Sequence, residues 1–531
     1  MMSDNAMMTT GPSRPDANQL RYRATVNTAW VAAAYCLVVL VFLGINWYQA
    51  ASHDPLKPAR IQKLQADLAR NPQDQAIVSQ IRQIDLEVRK TYFQTRSRAV
   101  RGMYLIIAGV IVLLGALQSV LAYWFALRIG TSRSTAVFAA LATAWTPWLF
   151  LSSLHSDTTT PFGVWAFGAL AAVYLGVRED GRWLWAAGAL GGLAMLTRND
   201  GPALIAAGAL GGLWLAWRRG AYPHWRHVLG AGVALVIVLV PWVARNLSEL
   251  GTVWPRSTAD AFFVTEHEDF YAYAKEISLQ TYLDQGLRVI LGKIAFELAA
   301  SVKLMITLVE LVFPVAILGG FVDAWTTRRS ASRRDLAPFV PALLFILLTW
   351  AAYGVLMPYL SQGGSFKKAY LAMVPFLLIF GAQTVERYVR PRPAFLAAAV
   401  LTLALLLASA VELTRADFKL NNAQRAMYQD VEEVLDQLQA DEAREIIVMT
   451  RDPWSVNMIT GYRAVMVPNE PLDVILEVAD RYGVTHILAP VPRDAITVID
   501  RGEASHPRLA RVAELPQHRM HVYRIVPGGE Q

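Results

Sequence analysis

The chain has 531 residues, of which 54% are hydrophobic and only 17% charged, and its net charge is +7. Soluble domains carry about 25% charged residues, whereas apolar residues here form long runs between about 28 and 412, which excludes a purely soluble protein. The arginines stand in short clusters between these runs, so nucleic acid is excluded as the partner that the positive charge suggests.

The long apolar runs predict membrane spans, because a helix that rises 1.5 Å per residue needs about 20 residues to cross about 30 Å of hydrocarbon. The first run holds the single cysteine, Cys36, so a disulfide framework is excluded. We expect this run to be a retained anchor, since no small-residue cleavage site follows it. About eleven spans are predicted: 28–47, 102–127, 135–152, 161–177, 183–196, 202–217, 228–243, 303–325, 337–357, 370–386 and 394–412.

The arginine clusters predict the orientation. If the tail 1–27 is cytoplasmic, every short basic loop lies on the cytoplasmic side, as the positive-inside rule requires. The basic loop 48–101 after the first span is an exception, but long loops follow this rule weakly. We therefore expect an outer face built from loop 48–101, loop 245–302 and two short turns between spans.

Two regions outside the spans have patterns of their own. In loop 48–101, apolar residues recur at spacings of three and four on both sides of Asn71-Pro72, which predicts a helical hairpin. In 413–531, strand-like and helix-like runs alternate, which predicts a small extracytoplasmic α/β domain with a partly parallel sheet. This domain lacks a glycine-rich phosphate loop, so no nucleotide site is expected there. The runs are 445–449, 472–482, 485–489 and 521–525.

Four motifs follow one another through the spans: Leu121 to Arg128, Gly192 to Gly201 (GLAMLTRNDG), Pro241 to Asn246 (PWVARN) and Lys368 to Leu371 (KAYL). In this order they make the stretch from about Ser119 to Pro375 resemble the GT-C superfamily of membrane glycosyltransferases, of the dolichyl-phosphate-mannose mannosyltransferase type. The fold class implied is a polytopic α-helical membrane protein.

The resemblance implies transfer of a sugar from a polyprenyl-phosphate donor to a lipid, glycan or protein acceptor at the outer face. Membrane lipids are further partners that it implies. It implies no certain cofactor, and a divalent metal is an open alternative. Members of the family usually carry an acidic residue in the first outer loop, thought to be the catalytic base. In this chain, Asp54 is the carboxylate of that loop closest to the membrane.

Such transfer needs a carboxylate that deprotonates the acceptor hydroxyl. Asp54 and Asp157 are the candidates, because each follows the outer end of a predicted span. The structural alternative for Asp54 is a turn residue before Pro55. For Asp157 it is an N-cap of the next span, in which Pro161 follows as in a helix start.

Positive charges are needed to bind the donor phosphate. Arg198, Arg245, Lys367 and Lys368 are the candidates, since all are expected on the outer side, and a guanidinium fork matches phosphate oxygens. The alternatives are pairing of Arg198 with a carboxylate such as Asp200, and ordinary interfacial anchoring by the lysines.

Three further candidates complete the predicted site. His155 lies two residues before Asp157, and Asp200 lies two residues after Arg198. Glu310 is expected about two turns inside the eighth span, where a carboxylate usually faces the bundle and has a partner. The acidic run Glu266 to Asp269 could bind a metal or an acceptor, although a solvated charge run is the simpler interpretation.

Two other functional classes stay open at this point. A catalytically degenerate scaffold would bind partners or lipid through the hairpin and the C-terminal domain. A transporter would need a substrate site near the middle of the membrane, and its discontinuous helices would resemble the short fifth span. An enzyme, by contrast, needs Asp54 or Asp157 within reach of Arg198 or Lys368.

Overall fold

The fold is known from a computed structural model that describes residues 109–526, except 156, 255–260, 328–334, 358–363 and 492. Scattered residues between 63 and 84 are also described, and they are helical on both sides of Asp74. The hairpin over 48–101 as a whole stays a prediction. Asp54 and the predicted span 28–47 lie outside the described residues.

The described chain before the C-terminal sheet is almost entirely helical. Short 3₁₀ segments at Ala261–Phe263, His267–Tyr271 and Ala337–Phe339 interrupt it, and a π-helical segment, Ala352–Leu356, continues α11. The α-helices are α1 (Gly109–Arg128), α2 (Arg133–Trp145), α3 (Pro147–Ser152), α4 (Thr159–Arg178), α5 (Trp183–Thr197), α6 (Gly201–Arg219), α7 (Trp225–Leu250), α8 (Leu279–Asp284), α9 (Leu287–Val309), α10 (Phe313–Thr326), α11 (Val340–Ala351), α12 (Ser365–Tyr388) and α13 (Arg392–Asp441).

Several of these helices could cross a membrane. In the part of the chain that the structure describes, six helical stretches are long and apolar enough: α1, α4, α7, Ala337–Leu356, α12 and α13. The bent pair α9 and α10 would make a seventh. The predicted number of eleven spans is not confirmed.

Two predicted spans are not single helices. The span 135–152 divides at Thr146 into α2 and α3, because Pro147 has no N–H to continue the α2 hydrogen-bond ladder. The span 303–325 is divided more sharply, since α9 and α10 meet at an angle of 107°. The chain reverses direction at Glu310 and Leu311, which both have positive φ, of 50° and 53°.

The connection between α7 and α9 differs from the outer loop predicted over 245–302. Helix α7 runs on to Leu250 and α9 already begins at Leu287, so the connection is shorter than expected. Glu310 therefore stands at the junction of two helices and not two turns inside a span.

Helix α12 lies at the centre of the bundle. It is apolar around its whole circumference, and most of its residues are buried, as expected for a helix that packs on every side. The ring of Phe376 contacts Phe125 of α1 edge-on, at a centroid distance of 5.3 Å, and Phe167 of α4 at 4.2 Å. These contacts fix the middle of α12 relative to α1 and α4.

Helices α4 and α12 define two ends of the bundle. Both begin at one end, which we call the Asp157 end, and both finish at the other, the Arg128 end. The 20 residues of α4 span about 30 Å, which equals the thickness of the hydrocarbon layer.

The C-terminal domain is a five-stranded sheet with three short helices. Helix α13 runs unbroken from the bundle into this domain, so the boundary predicted at 413 falls inside a helix. The sheet order is β2-β1-β3-β5-β4, with β1, β2 and β3 parallel and the last two pairings antiparallel. The elements are β1 (Ile447–Thr450), α14 (Pro453–Thr460), β2 (Arg463–Met466), α15 (Leu472–Tyr482), β3 (His486–Ala489), α16 (Asp494–Asp500), β4 (Leu509–Leu515) and β5 (Met520–Ile525).

The connection between α7 and α9 docks on this domain through Glu268. Its carboxylate pairs with Arg451, at 3.1 Å, and with Arg493, whose side chain is only 1% exposed. The guanidinium of Arg451 also lies 4.1 Å from the centre of the Tyr271 ring. The Glu470 carboxylate accepts hydrogen bonds from three successive backbone N–H groups, of residues 273 to 275. The run Glu266 to Asp269 is therefore more than a solvated group of charges, because Glu268 forms ion pairs with two arginines.

The close contact between α5 and α7 gives a first prediction. A Cβ atom added at Gly188 would stand 2.0 Å from the backbone oxygen of Ala231. We expect Gly188→Ala to push the helices apart and lower the free energy of unfolding by about 2 kcal/mol. The control is Gly232→Ala, where no atom lies within 4 Å of the new Cβ. Thermal unfolding in detergent measures both, and equal stability of the two variants would contradict the packing described.

The contact of Glu268 gives a prediction about pH. Burial raises the pKa of its carboxyl, but the hydrogen bonds and charges of Arg493 and Arg451 outweigh burial and hold the pKa below its ordinary value. The contact therefore stabilises the fold above the unfolded-state pKa, and this stabilisation is lost as the pH falls through the folded-state pKa. We expect Glu268→Gln to cost about 2 kcal/mol at pH 7.

The measurement is a denaturation series from pH 7 to pH 3 on the parent, on Glu268→Gln and on Glu276→Gln, which removes an exposed carboxylate from the same connection. The deficit of the first variant should shrink as the pH falls, while the second variant should follow the parent throughout. A deficit independent of pH would contradict the charged contact.

Candidate functional site

Asp157 and Lys368 face each other at the Asp157 end of the bundle. Lys368 stands in the first turn of α12, and its Nζ lies 3.2 Å from Oδ2 of Asp157. The other carboxylate oxygen, Oδ1, accepts a hydrogen bond of 2.6 Å from the backbone N–H of Thr159, at the start of α4. The N-cap position predicted for Asp157 belongs to Thr158, one residue later. Asp157 still contacts the helix start through Thr159, and it also meets a cation. Both side chains are partly open to solvent, at 32% and 40% exposure.

Arg198 lies beside this pair but is almost enclosed. Its Nε donates to Oδ2 of Asp200 at 2.6 Å, and the two side chains are 10% and 1% exposed. One terminal nitrogen donates to Oγ1 of Thr158, at 3.4 Å, and the other to the backbone oxygen of Ser365, at 3.2 Å. The second oxygen of Asp200 accepts a hydrogen bond from the hydroxyl of Tyr353, in the π-helical segment after α11. Arg198 therefore connects the starts of α4 and α12.

The turn that carries Arg198 and Asp200 is tight, and Gly201 makes it so. A Cβ at Gly201 would stand 2.5 Å from the Cα of Met195 in the preceding helix. Only a residue without a side chain fits such an approach, so the LTRNDG motif closes α5 directly onto α6. The motif thereby holds both charged residues at the Asp157 end.

A second lysine and an aromatic wall complete this surface. The Nζ of Lys367 lies 3.1 Å from the centre of the Trp148 ring in α3, a cation–π contact. The guanidinium of Arg198 lies 5.7 Å from the centre of the Phe162 ring. We call the group Asp157, Arg198, Asp200, Tyr353, Lys367 and Lys368 the charged cluster.

The other predicted residues lie apart from the charged cluster or at its border. His155 pairs with Asp417 of α13 through Nε2 and Oδ2 at 2.9 Å, so it ties α13 to the loop before Asp157. Arg245 is exposed, and Nη1 donates to its neighbour Asn246 at 3.3 Å. Glu310 accepts a hydrogen bond from the Ser409 hydroxyl of α13 at 3.0 Å.

An apolar groove of about 590 Å³ opens beside the charged cluster, between α3 and α13. Phe150 and Leu154 form one wall, and Val411 and Phe418 of α13 form the other. Trp148, which contacts Lys367, stands two residues before Phe150 in the same short helix. The groove is wide enough for part of an acyl or isoprenoid chain.

The sequence did not single out Tyr353, Thr158 or Ser365. Tyr353 lies within an apolar run, and a lone tyrosine there resembles any interfacial aromatic residue. Only the irregular π-helical segment, which sequence periodicity does not reveal, turns its hydroxyl toward Asp200. Among the residues that the structure describes, no group of three or more His, Cys, Asp or Glu side chains could hold a metal ion.

The buried pair gives a prediction about stability. Asp200→Asn would leave the enclosed Arg198 charge without its carboxylate, so we expect a loss of about 3 kcal/mol of unfolding free energy. Tyr353→Phe removes one hydrogen bond to the same carboxylate and should cost about 1 kcal/mol. The double variant should cost less than the sum, because Tyr353 acts through Asp200. Chemical denaturation measures this cycle, with the exposed Glu249→Gln as control; strictly additive losses would argue against the shared contact.

Comparison with protein families matches part of the chain. The family model of dolichyl-phosphate-mannose-protein mannosyltransferases matches residues 92–243. This stretch holds Asp157, Arg198 and Asp200, whereas Tyr353 and the two lysines lie beyond it. Neither a curated protein nor a solved structure matches the chain. Together with the apolar helices, the match shows that this is an integral membrane protein that resembles, over residues 92–243, the dolichyl-phosphate-mannose-protein mannosyltransferases, a family that implies a membrane glycosyltransferase of the GT-C type.

Proposed function

We propose that the protein transfers a sugar from a polyprenyl-phosphate donor to an acceptor hydroxyl, and that the reaction takes place at the Asp157 end of the bundle. The observation that carries the proposal is the contact between Asp157 and Lys368, a carboxylate and a cation 3.2 Å apart and both open to solvent. Such transfer requires a base for the acceptor and a positive charge for the donor phosphate, and this pair offers both.

Each residue of the charged cluster has a role in this proposal. The acceptor oxygen bonds to the anomeric carbon, and the bond from that carbon to the phosphate oxygen breaks. The phosphate leaves with the bonding electrons, next to Lys367 and Lys368. Asp157 takes the proton of the acceptor hydroxyl. Arg198 is a positioning residue, because its guanidinium is already held by Asp200, Thr158 and Ser365.

The donor fits the surroundings of the two lysines. A polyprenyl phosphate combines a charged group with a long apolar chain, so it needs cations at the border of an apolar surface. Lys367 and Lys368 provide the cations. The groove between α3 and α13, which Leu154 lines three residues before Asp157, provides an apolar surface at the same end of the bundle. Binding of the phosphate would draw Lys368 away from Asp157 and free one carboxylate oxygen for the acceptor.

The positive-inside rule supports an outer location for this site. The Arg128 end carries Arg128, Arg178, Arg219 and Arg387, which favours the cytoplasmic side for that end. The Asp157 end then faces outward, and α13 leads from there into the C-terminal domain. In this orientation a bacterial inner membrane is the proposed location.

The test is transfer of labelled sugar from polyprenyl-phosphate donors by the purified protein in lipid. We expect Asp157→Asn to lower the rate at saturating donor at least about 100-fold. Asparagine can still accept the N–H of Thr159, so the helix start should be kept. We expect Lys368→Gln to lower kcat/KM for the donor about tenfold or more.

Asp441→Asn and Lys303→Gln are matched controls at exposed positions and should retain the parent rate. Asp54→Asn is measured in parallel, because Asp54 is the other candidate base. Full activity of Asp157→Asn together with a collapse of Asp54→Asn would move the base to the first outer loop. A parent that binds polyprenyl phosphate and transfers no sugar from several donors would favour the lipid-binding scaffold instead.

A further inference from the structure

A wide cavity lies at the Arg128 end, about 30 Å from the charged cluster along α4. Its volume is about 1030 Å³, which is ample for a small charged ligand. Tyr174 and Phe395, both buried, belong to its wall. Six arginines line it, against three carboxylates: Arg128, Arg133, Arg178, Arg387, Arg390 and Arg392 face Glu179, Asp335 and Glu386.

The three carboxylates are already engaged. Glu179 pairs with Arg128 at 2.8 Å, and Asp335 pairs with Arg218, outside the cavity, at 3.7 Å. Glu386 accepts a hydrogen bond from the hydroxyl of Ser132. Arg387 has its partner in the buried Asp323, at 3.4 Å.

The remaining arginines are left with an excess of positive charge. Within the described ranges, Arg133, Arg178, Arg390 and Arg392 form no ion pair with any carboxylate. They come from separate parts of the chain: Arg133 begins α2, Arg178 ends α4, and Arg390 and Arg392 stand in the turn before α13 and at its first residue. Like charges repel, and four of them at one concave surface favour a bound anion.

Two helix starts strengthen the positive potential. Ser132 and Arg133 begin α2, and Pro391 and Arg392 begin α13, a helix of 50 residues. The first turn of a helix has N–H groups without intrahelical partners and carries a partial positive charge. Both starts line the cavity, next to the unpaired arginines.

We propose that this cavity, separate from the transfer site, binds a ligand whose phosphate groups together carry two or more negative charges. The ligand is either the headgroup of an anionic phospholipid or a free oligophosphate such as inorganic pyrophosphate. Four guanidinium groups offer paired N–H donors that match phosphate oxygens, whereas zwitterionic headgroups carry a cation that these arginines would repel. The site does not depend on the proposed glycosyl transfer.

The test measures binding by the full-length protein. In detergent, inorganic pyrophosphate is titrated and followed by calorimetry. In nanodiscs, retention of cardiolipin against phosphatidylcholine is followed by native mass spectrometry. The variants are Arg133→Gln with Arg178→Gln, and independently Arg390→Gln with Arg392→Gln, so that one pair remains if the other fails to fold. The matched control is Arg182→Gln with Arg226→Gln, two exposed arginines at the same end that do not line the cavity.

We expect saturable binding of at least one probe to the parent, weakened at least about tenfold in each cavity variant and within twofold of the parent in the control. Binding of pyrophosphate in detergent supports a free oligophosphate as ligand, and selective retention of cardiolipin alone supports a lipid headgroup. If binding is weakened equally in the cavity variants and in the control, the general positive charge of the surface explains it, and the proposal is overturned. Absence of binding of both probes to the parent would overturn it as well.

Discussion

The ion pair between Arg198 and Asp200 is the contact on which the geometry of the site depends. An enclosed ion pair is stable only when its remaining hydrogen-bonding groups also have partners, because desolvation of the charges is costly. In this chain the partners come from distant parts of the sequence, since Thr158 precedes α4, Ser365 begins α12 and Tyr353 stands where the π-helical segment follows α11. Satisfying one buried charge thus brings three helix ends together.

This arrangement separates a structural ion pair from a chemical one. Asp157 immediately precedes Thr158, and Lys368 stands three residues after Ser365. The hydrogen bonds of Arg198 to Thr158 and Ser365 therefore hold both partners of the exposed pair in place. Breaking an exposed pair costs little, about 1 kcal/mol or less, whereas breaking an enclosed pair costs several times more. A phosphate ligand can therefore compete for Lys368 without disturbing Arg198. The lysines are therefore better placed than Arg198 to bind a phosphate, and the role proposed for Arg198 is positioning.

Sequence periodicity predicted the parts of the fold that follow from local patterns. Helix α15 has the predicted limits, and strands β1, β3 and β5 lie within two residues of the predicted runs. The break at Glu310 was missed because leucines and valines continue on both sides of it. Hydropathy carries no information about a sharp turn between two apolar helices. Strand β4 was missed since its exposed residues lack regular alternation. Pairing of Arg198 with Asp200 was foreseen as an alternative, whereas the partners of that pair required the tertiary fold.

The docking of Glu268 explains how the C-terminal domain relates to the site. In this sheet the connection after β1 leads to β2 on one side, whereas the connection after β3 leads to β4 on the other side. An α/β sheet usually binds its ligand at such a point, at the carboxyl ends of the two strands. Arg451 follows β1 and Arg493 lies after β3, and between them stands the carboxylate of the chain itself. The crevice is filled from within the molecule, so the domain acts here as a brace.

The brace extends towards the charged cluster through α9. The connection that carries Glu268 continues into α8 and then α9, where Lys293 donates from Nζ to the backbone oxygen of Thr265 at 2.6 Å. Further along α9, the backbone oxygen of Leu298 accepts a hydrogen bond from the indole N–H of Trp350, at 3.4 Å. Trp350 stands three residues before Tyr353, whose hydroxyl holds Asp200. A continuous series of contacts thus joins the C-terminal sheet to the ion pair that orders the site. Because each contact restrains a different segment, the domain limits how far the π-helical segment can move away from Asp200.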